Sequence, residues 1–255
     1  MTTPRANWSA KEWVPFLEGK ANGSVSELSD LVLQYGDFLA PHTLPVAGQY
    51  NVTLPHPKGT LELSVGWDYV GLGADWRTYL RIALRPDAAQ RVATVMGFVL
   101  PTAGLVDRLL SVGTRMPFRT GNPKYLRSVW ETNEATNQDI AQLATVGDQP
   151  RLFVGHSKDV VLTNQLKDNL TQVAIYGGHG RSCPVEKPVQ GLTTVHVWNY
   201  VDYSQRVRFV HNTCRLGGVE TPTLDAIATF NNPIPLVIRA YPIRSTTGAF
   251  VRKQP

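Results

Sequence analysis

Apolar positions recur along this chain with two different periods. In the first half they fall three and four residues apart, the spacing of one helix face. Ser9 and Glu12 have the separation of a capping box ahead of WVPFL, and Val25, Leu28, Leu31 and Val32 keep helical spacing through residues 24–34. Pro86 suits a first helical position and Gly97 a residue just beyond a C-terminus, so a helix is predicted over 86–96. Thr102 can cap AGLVDRLLSV, with Leu105, Val106, Leu109 and Leu110 as its stripe and Gly113 as its stop. A further helix is expected over about 131–145, with Ile140 and Leu143 inward, and a late one over TPTLDAIATF from Thr221.

Elsewhere the pattern alternates or is rich in β-branched and aromatic residues, which predicts strands. QYNVTL, LELSVGWDYVGL, TYLRIAL, RLFVGHSKDVVLT, TQVAIYGGH, VHVWNYVDYSQRVRF and IPLVIRAYPI read this way. Helices and strands mix without a βαβ beat. The expected architecture is therefore α+β, a mostly antiparallel sheet with helices packed on it and a more helical N-terminal half. One domain over 1–255 is expected, with 1–46 as a candidate helical annex and the basic, acid-free segment 113–128 as an exposed loop.

If VHVWNYVDYSQRVRF is one strand, His196, Trp198, Tyr200, Asp202, Ser204 and Arg206 share a face. No other stretch places polar chemistry at so regular a period.

Composition changes this picture only at its edges. The net charge of +5 is dispersed rather than gathered in a run, so a nucleic-acid partner is not expected. The longest apolar stretches, such as VATVMGFVL, are too short to cross a bilayer as a helix, so no membrane insertion is expected. The start, MTTPRANWSAKEW, lacks a basic-then-apolar leader layout, which by itself leaves the compartment unknown. Cys183 and Cys214 have neither metal-site nor CxxC spacing, so a disulfide and two free thiols both stay open.

Four of the six histidines lie between positions 156 and 211. His156 and His179 sit at the ends of strand-like runs, where a sheet holds a side chain and a loop exposes it. His211 is a weaker candidate, and His42 and His56, in proline-flanked segments, are expected at the surface. Three chemistries follow. Ser204 could be a nucleophile with His196 or His156 as base and Asp202 or Asp159 as orienting carboxylate. Ser204 and Asp202, two apart on a strand, would be about 7 Å apart, so the base would come from a neighbouring strand. Alternatively His156, His179 and His196 could hold zinc, although no HExxH or short paired spacing supports a metal, and no cofactor is the leading expectation. Third, Trp198, Tyr200 and Arg206 could form a saccharide- or peptide-binding surface without catalysis.

The blocks VGHSKDVVLT, VAIYGGHG, PVQGLTTVH and YVDYSQRVRFV, with WDYVGLGADWRTYLRIAL and AQRVATVMGFVLPTAGLVDRL upstream, resemble an uncharacterised bacterial family over about residues 36–230. Many of its members carry signal peptides, so the resemblance implies an extracytoplasmic role. It focuses interest on His156, Lys158, Asp159, His179, His196, Asp202, Tyr203 and Ser204. Two departures stand out. The family pattern Tyr-Ser-His-Gly is here Tyr203, Ser204, Gln205 and Arg206, so a histidine base at that position would be lost and activity would rest on His196. The family's Trp before the second His is here Gly178, which would open a pocket. The expectation from the sequence is a hydrolase acting on an amide, ester or glycan-linked substrate, with the cell envelope as its candidate setting. Its catalytic candidates are His156, Asp159, His179, His196, Asp202 and Ser204, and its small-molecule, peptide or saccharide ligand would meet Lys158, Trp198, Tyr200, Tyr203 and Arg206. The alternative is a non-catalytic saccharide- or peptide-binding domain.

Overall fold

The structure is a computed structural model that describes residues 8–21, 24–39, 43–44, 48–73, 75, 77–121, 126–144, 151–167, 169, 171–228, 230 and 240–244. In chain order its elements are α1 (Ala10–Ala21), α2 (Val25–Leu39), β1 (Thr43–Leu44), β2 (Gln49–His56), β3 (Gly59–Gly66), β4 (Gly71–Leu72), β5 (Leu80–Arg81), α3 (Pro86–Met96), β6 (Phe98–Val99) and α4 (Ala103–Val112). There follow β7 (Thr114–Arg115), α5 (Leu126–Ala144), β8 (Phe153–Val154), β9 (Lys158–Val160), a 3-10 turn at Asn164–Leu166, β10 (Gln172–Gly177), β11 (Gln190–Val197), β12 (Gln205–Arg206), β13 (Val210–His211), β14 (Thr213–Leu216), β15 (Val219–Pro222) and α6 (Thr223–Ile227). The fold is α+β and mostly antiparallel, with most of its helix in the N-terminal half. Among the described residues no helix is long and apolar enough to cross a membrane.

Local chemistry explains most of the helix boundaries. Glu12 reaches back to the Ser9 N–H at 2.7 Å, starting α1. α3 has Pro86 in its first turn and ends at Gly97, whose φ of 74° is the left-handed conformation glycine adopts without strain. Thr102 caps α4 by accepting from Leu105 N. Gly113 ends α4 for a different reason: its φ is −95°, but a Cβ there would lie 2.8 Å from the Val154 side chain, so only glycine lets the chain pass β8.

Several expectations need correction. α5 begins at Leu126, and β7 pairs with β8 while Met116 is fully buried, so residues 113–128 are not simply an exposed loop. Thr221 and Pro222 belong to β15, whose pairing with β14 delays the last helix to Thr223. His56 is buried, with Nε2 3.2 Å from Ala226 O and its ring edge-on to Phe230. His42 and residues 234–239 of the last strand-like run, IPLVIRAYPI, lie outside the described residues. Both cysteines are free.

One sheet runs β15-β14-β3-β13-β6 with β2 also on β3, and a second runs β11-β10-β9-β12. Only the β12–β9 pair of the second sheet is parallel. Trp13, Leu17, Val25 and Leu28 of the first two helices share one apolar cluster with Ile82, Val92, Val160, Ile175 and Phe209. The link from β3 to β4 is sewn between the sheets: Gly66 N and Val70 N donate to Phe209 O and Val207 O, and Phe153 N donates to Trp67 O. This seam carries Asp68 and Tyr69 inward, to the place where β9 and β12 meet.

Candidate functional site

The strand expected over 195–209 is not continuous. β11 stops at Val197, the chain turns through 198–204, and pairing resumes at Gln205 on a different neighbour, β9. The alternating face therefore does not exist. His196 remains on β11, half-buried, and stacks on Tyr200 with ring centroids 3.9 Å apart. Trp198 lies against two guanidinium groups, Arg244 at 4.0 Å and Arg85 at 5.3 Å. Arg206 is fully buried. Trp198, Tyr200 and Arg206 thus form no common ligand surface, and the rings face partners within the chain.

The serine arrangement is likewise not assembled. Ser204 donates its hydroxyl to Asp202 Oδ1 at 2.7 Å, and its N–H donates to the same oxygen at 2.8 Å, so the pair closes a turn. Asp202 Oδ2 takes Lys158 Nζ at 2.5 Å and the Tyr200 hydroxyl at 3.2 Å. Burial opposes the Asp202 charge, but Lys158 and the Ser204 donors outweigh it and hold the carboxyl below its usual range. Asp202 is occupied as a counter-ion and Lys158 with it. Tyr203 is buried in the main apolar cluster.

The three histidines also part company, and among the described residues no group of three potential ligands could hold a metal. His196 faces Tyr200. His156 lies edge-on to Tyr69 at 4.8 Å, with Nε2 3.0 Å from Asp68 Oδ1, although its N–H points off the line of a hydrogen bond. His179 packs against Tyr176 and places Nε2 3.1 Å from Val185 O. Gly178, beside it, opens no pocket. Its φ is 73°, and a Cβ there would sit 2.9 Å from the Phe118 ring, which already fills that space together with Val189.

What the fold does bring together is a buried polar cluster around β9. Asp68 takes Arg81 through Nε at 2.8 Å and Nη2 at 2.6 Å, both on Oδ2, and receives the Tyr69 N–H on Oδ1. Burial opposes its charge, yet Arg81 and His156 hold its carboxyl far below the ordinary range. Arg81 is anchored on its other side by Asn133 and Asn137 of α5. Burial, reinforced by Arg81 and Arg206 and opposed by Asp68, lowers His156 to about 4, so the ring is neutral at pH 7.

Asp159, next along the strand from Lys158, points to the opposite face. Its Oδ2 accepts from the Tyr69 hydroxyl at 3.0 Å, and its Oδ1 has no partner among the described residues. Burial raises this carboxyl to about 7, with Arg208 and Tyr69 pulling the other way. Arg208 lies 4.6 Å over the Tyr69 ring and donates to Gly66 O and Phe153 O, each at 2.6 Å. A cavity of about 10 Å³ is bounded here by Tyr69, Ser157, Asp159, His179 and Arg208 on its polar side and by Val106, Leu109, Leu110 and Val154 on its apolar side. Ser157 Oγ, Asp159 Oδ1 and His179 Nδ1 are all buried without a partner among the described residues. Since a carbonyl can only accept, Val185 O assigns the His179 proton to Nε2 and leaves Nδ1 an acceptor.

Of the sequence candidates, Asp159 and His179 share this cavity, and His156 stands behind it on Asp68. Asp202 and Ser204 belong to the turn across the strand, and His196 to the end of β11 that leads into it. Sequence reasoning missed Asp68, Tyr69, Arg81, Ser157 and Arg208. A signal exists for all but Ser157: WDY, YLRIAL and RVRF each set charges inside apolar runs, where a charge must be paired or functional. Comparison with protein-family models, curated proteins and solved structures finds no match for this chain, so its site is read from its own residues.

Proposed function

We propose that the chain is a hydrolase acting on an amide, ester or glycan-linked substrate, with one water held in the Asp159 cavity as the reacting nucleophile. The observation that carries this reading is that Ser157, Asp159 and His179, each with a buried polar atom unpartnered among the described residues, line one space of about 10 Å³. That volume suits one water molecule, and a buried water is held by about three polar partners. The Ser157 hydroxyl can donate to the water. Asp159 and His179 can accept its two protons in hydrogen bonds, which leaves one lone pair of the water free.

Proton transfer then falls to Asp159, which takes a proton from the water as its oxygen bonds to the substrate's electrophilic carbon and returns it to the departing amine or alcohol oxygen as that bond breaks. A base works best when its pKa lies near the working pH, and this carboxyl lies at about 7 where an exposed one would be ionised and weakly basic. Tyr69 fixes the carboxylate through Oδ2, and Arg208 beneath the Tyr69 ring supplies positive charge as the base ionises. His179 is lowered to about 4, chiefly by burial, so it stays neutral and orients the water rather than competing for the proton. The resemblance to a family rich in signal peptides adds the cell envelope as the setting.

The test is turnover of p-nitrophenyl esters, amino-acid p-nitroanilides and p-nitrophenyl glycosides by the wild type and by Asp159→Asn. One class should release chromophore, and the variant should lose 10²–10⁴-fold while keeping its near-ultraviolet circular dichroism. Equal turnover by both proteins, or none by the wild type on any class, sinks the proposal.

A further inference from the structure

Three arginines, Arg81, Arg206 and Arg208, are buried around this cluster, and the described carboxylates that act on them are Asp68 and Asp159. Arg81 has Asp68, and Arg208 has two backbone carbonyls beneath Tyr69. Arg206 has no such arrangement. Its Nη2 donates to the Thr132 hydroxyl at 3.2 Å, and its Nε is buried without a partner among the described residues. The charges acting on it are the like charge of Arg81 and an Asp68 already bound to Arg81. Burial and Arg81 lower Arg206 to about 10, which still leaves it cationic at neutral pH. A buried cation with no anion of its own among the described residues is costly unless a further group completes it.

Thr132, the residue that Arg206 grips, opens onto a surface pocket of about 370 Å³. Arg119, Thr120, Gly121 and Ser128 line it with Thr132, and Phe118 adds an apolar wall. Thr132 gives its hydroxyl hydrogen to Ser128 O at 2.7 Å, so the Arg206 bond falls on its oxygen and the charge lies directly beneath the pocket. At the rim, Arg119 pairs through Nη2 with Asp139, while its Nε is buried and unpartnered among the described residues. The lining also holds one carboxylate, Glu131, which is paired with Arg127 in an exposed ion pair. Gly121 is required by closeness, since a Cβ there would lie 2.9 Å from Ser128 Cβ. The pocket also flanks the first turns of α5, the end of a helix that favours negative charge.

We infer that this pocket binds the anionic group, a carboxylate or a phosphate, of a small ligand, with Arg119 at the rim and Arg206 below Thr132 supplying the charge. Its volume suits a ligand of amino-acid or monosaccharide size. Arg206 and Asp159 are register partners on β12 and β9, so the anion site and the water cavity lie on adjacent strands. The inference stands on the arginines and the pocket, whether or not Asp159 is catalytic.

The experiment titrates the wild-type protein with inorganic phosphate and, separately, with acetate, against potassium chloride at matched ionic strength. Thermal midpoints and backbone amide shifts are the readouts. At least one anion should raise the midpoint saturably beyond chloride and shift the amides of residues 119–121 and 128–132. Response to phosphate alone identifies a phosphate ligand, and response to acetate alone a carboxylate. Arg119→Gln and Thr132→Val, both at partly exposed positions, should each weaken that binding at least fivefold. Neither anion exceeding chloride, shifts confined to other residues, or undiminished binding by both variants would overturn the inference.

Discussion

Lys158 and Asp159 are neighbours in the chain, yet the two faces of β9 give them opposite chemistry. On one face Lys158 meets Asp202, whose carboxylate also takes Ser204 and Tyr200 and is held in its charged form. On the other face Asp159 meets one hydroxyl, has an oxygen left over and is pushed up to about 7. The face with the more catalytic-looking sequence pattern is a closed structural turn. The face with the poorer pattern holds the unsatisfied groups. A carboxylate's availability for chemistry follows from what its second oxygen touches, and a pattern of residue types does not record that.

The comparison breaks most severely if the buried side loses its counter-ion. Asp68→Ala leaves Arg81 unpaired, removes the attraction on Arg206 and frees His156 from its neighbour. Removing one partner of a buried ion pair costs roughly 3–5 kcal/mol, and with two cations stranded the expected loss is about 5 kcal/mol. Urea denaturation at pH 7 measures it. A loss under about 1 kcal/mol would mean that bulk water reaches the cluster and screens its charges.

Replacing each carboxylate by its amide sharpens the contrast, because the two changes should have opposite signs. Burial pushes the Asp159 carboxyl up to about 7 in the folded chain, well above its ordinary value of 3.8, so folding favours its protonated form. Wild-type stability from this group is then fully present below about pH 4 and is lost as the pH rises through 7. A rise from 3.8 to about 7 bounds the loss at roughly 4 kcal/mol. Asp159→Asn removes that loss, so it should be more stable than wild type at pH 8 and nearly equal to it at pH 4. Asp202 is the reverse case, its folded carboxyl lowered. Its contribution is present above the unfolded value and disappears as the pH falls through the folded one. Asp202→Asn should therefore be less stable than wild type by about 2 kcal/mol at pH 7, the worth of a charged hydrogen-bond set. Stability curves of the three proteins between pH 4 and pH 8 decide both signs.

Much of the fold was legible because its signals are local. The span of α3 with its proline start and glycine stop, the Thr102 cap of α4, and the inward Ile140 of α5 depend on residues within a few positions of one another. The site was legible only in part. Asp159, His156 and His179 stand in blocks that attract notice, but Asp68 and Tyr69 reach them only because the β3–β4 link is bonded to Phe209, Val207 and Phe153, contacts that span more than 80 residues. The false face between His196 and Arg206 had a physical cause as well. Alternation is shared by a strand and by a strand followed by a turn, and Asp202 with Ser204 is turn chemistry embedded in a strand-like pattern.

His196 gives the comparison its mildest test, and the one that bears most directly on what the polar period meant. Its imidazole stacks on Tyr200 at 3.9 Å, half-buried, opposite Val173 on β10, and no described carboxylate or hydroxyl of the cavity lies among its contacts. Such a pair contributes about 0.5–1.5 kcal/mol when buried, and less where water reaches both rings. His196→Ala should therefore lower stability by under about 1 kcal/mol and leave turnover of the responsive chromogenic substrate within twofold of wild type. The Tyr200 hydroxyl keeps its bond to Asp202, so the turn stays closed without the ring above it. A hundredfold loss of turnover in His196→Ala would move the chemistry to the other face of β9 and leave the Asp159 cavity as packing.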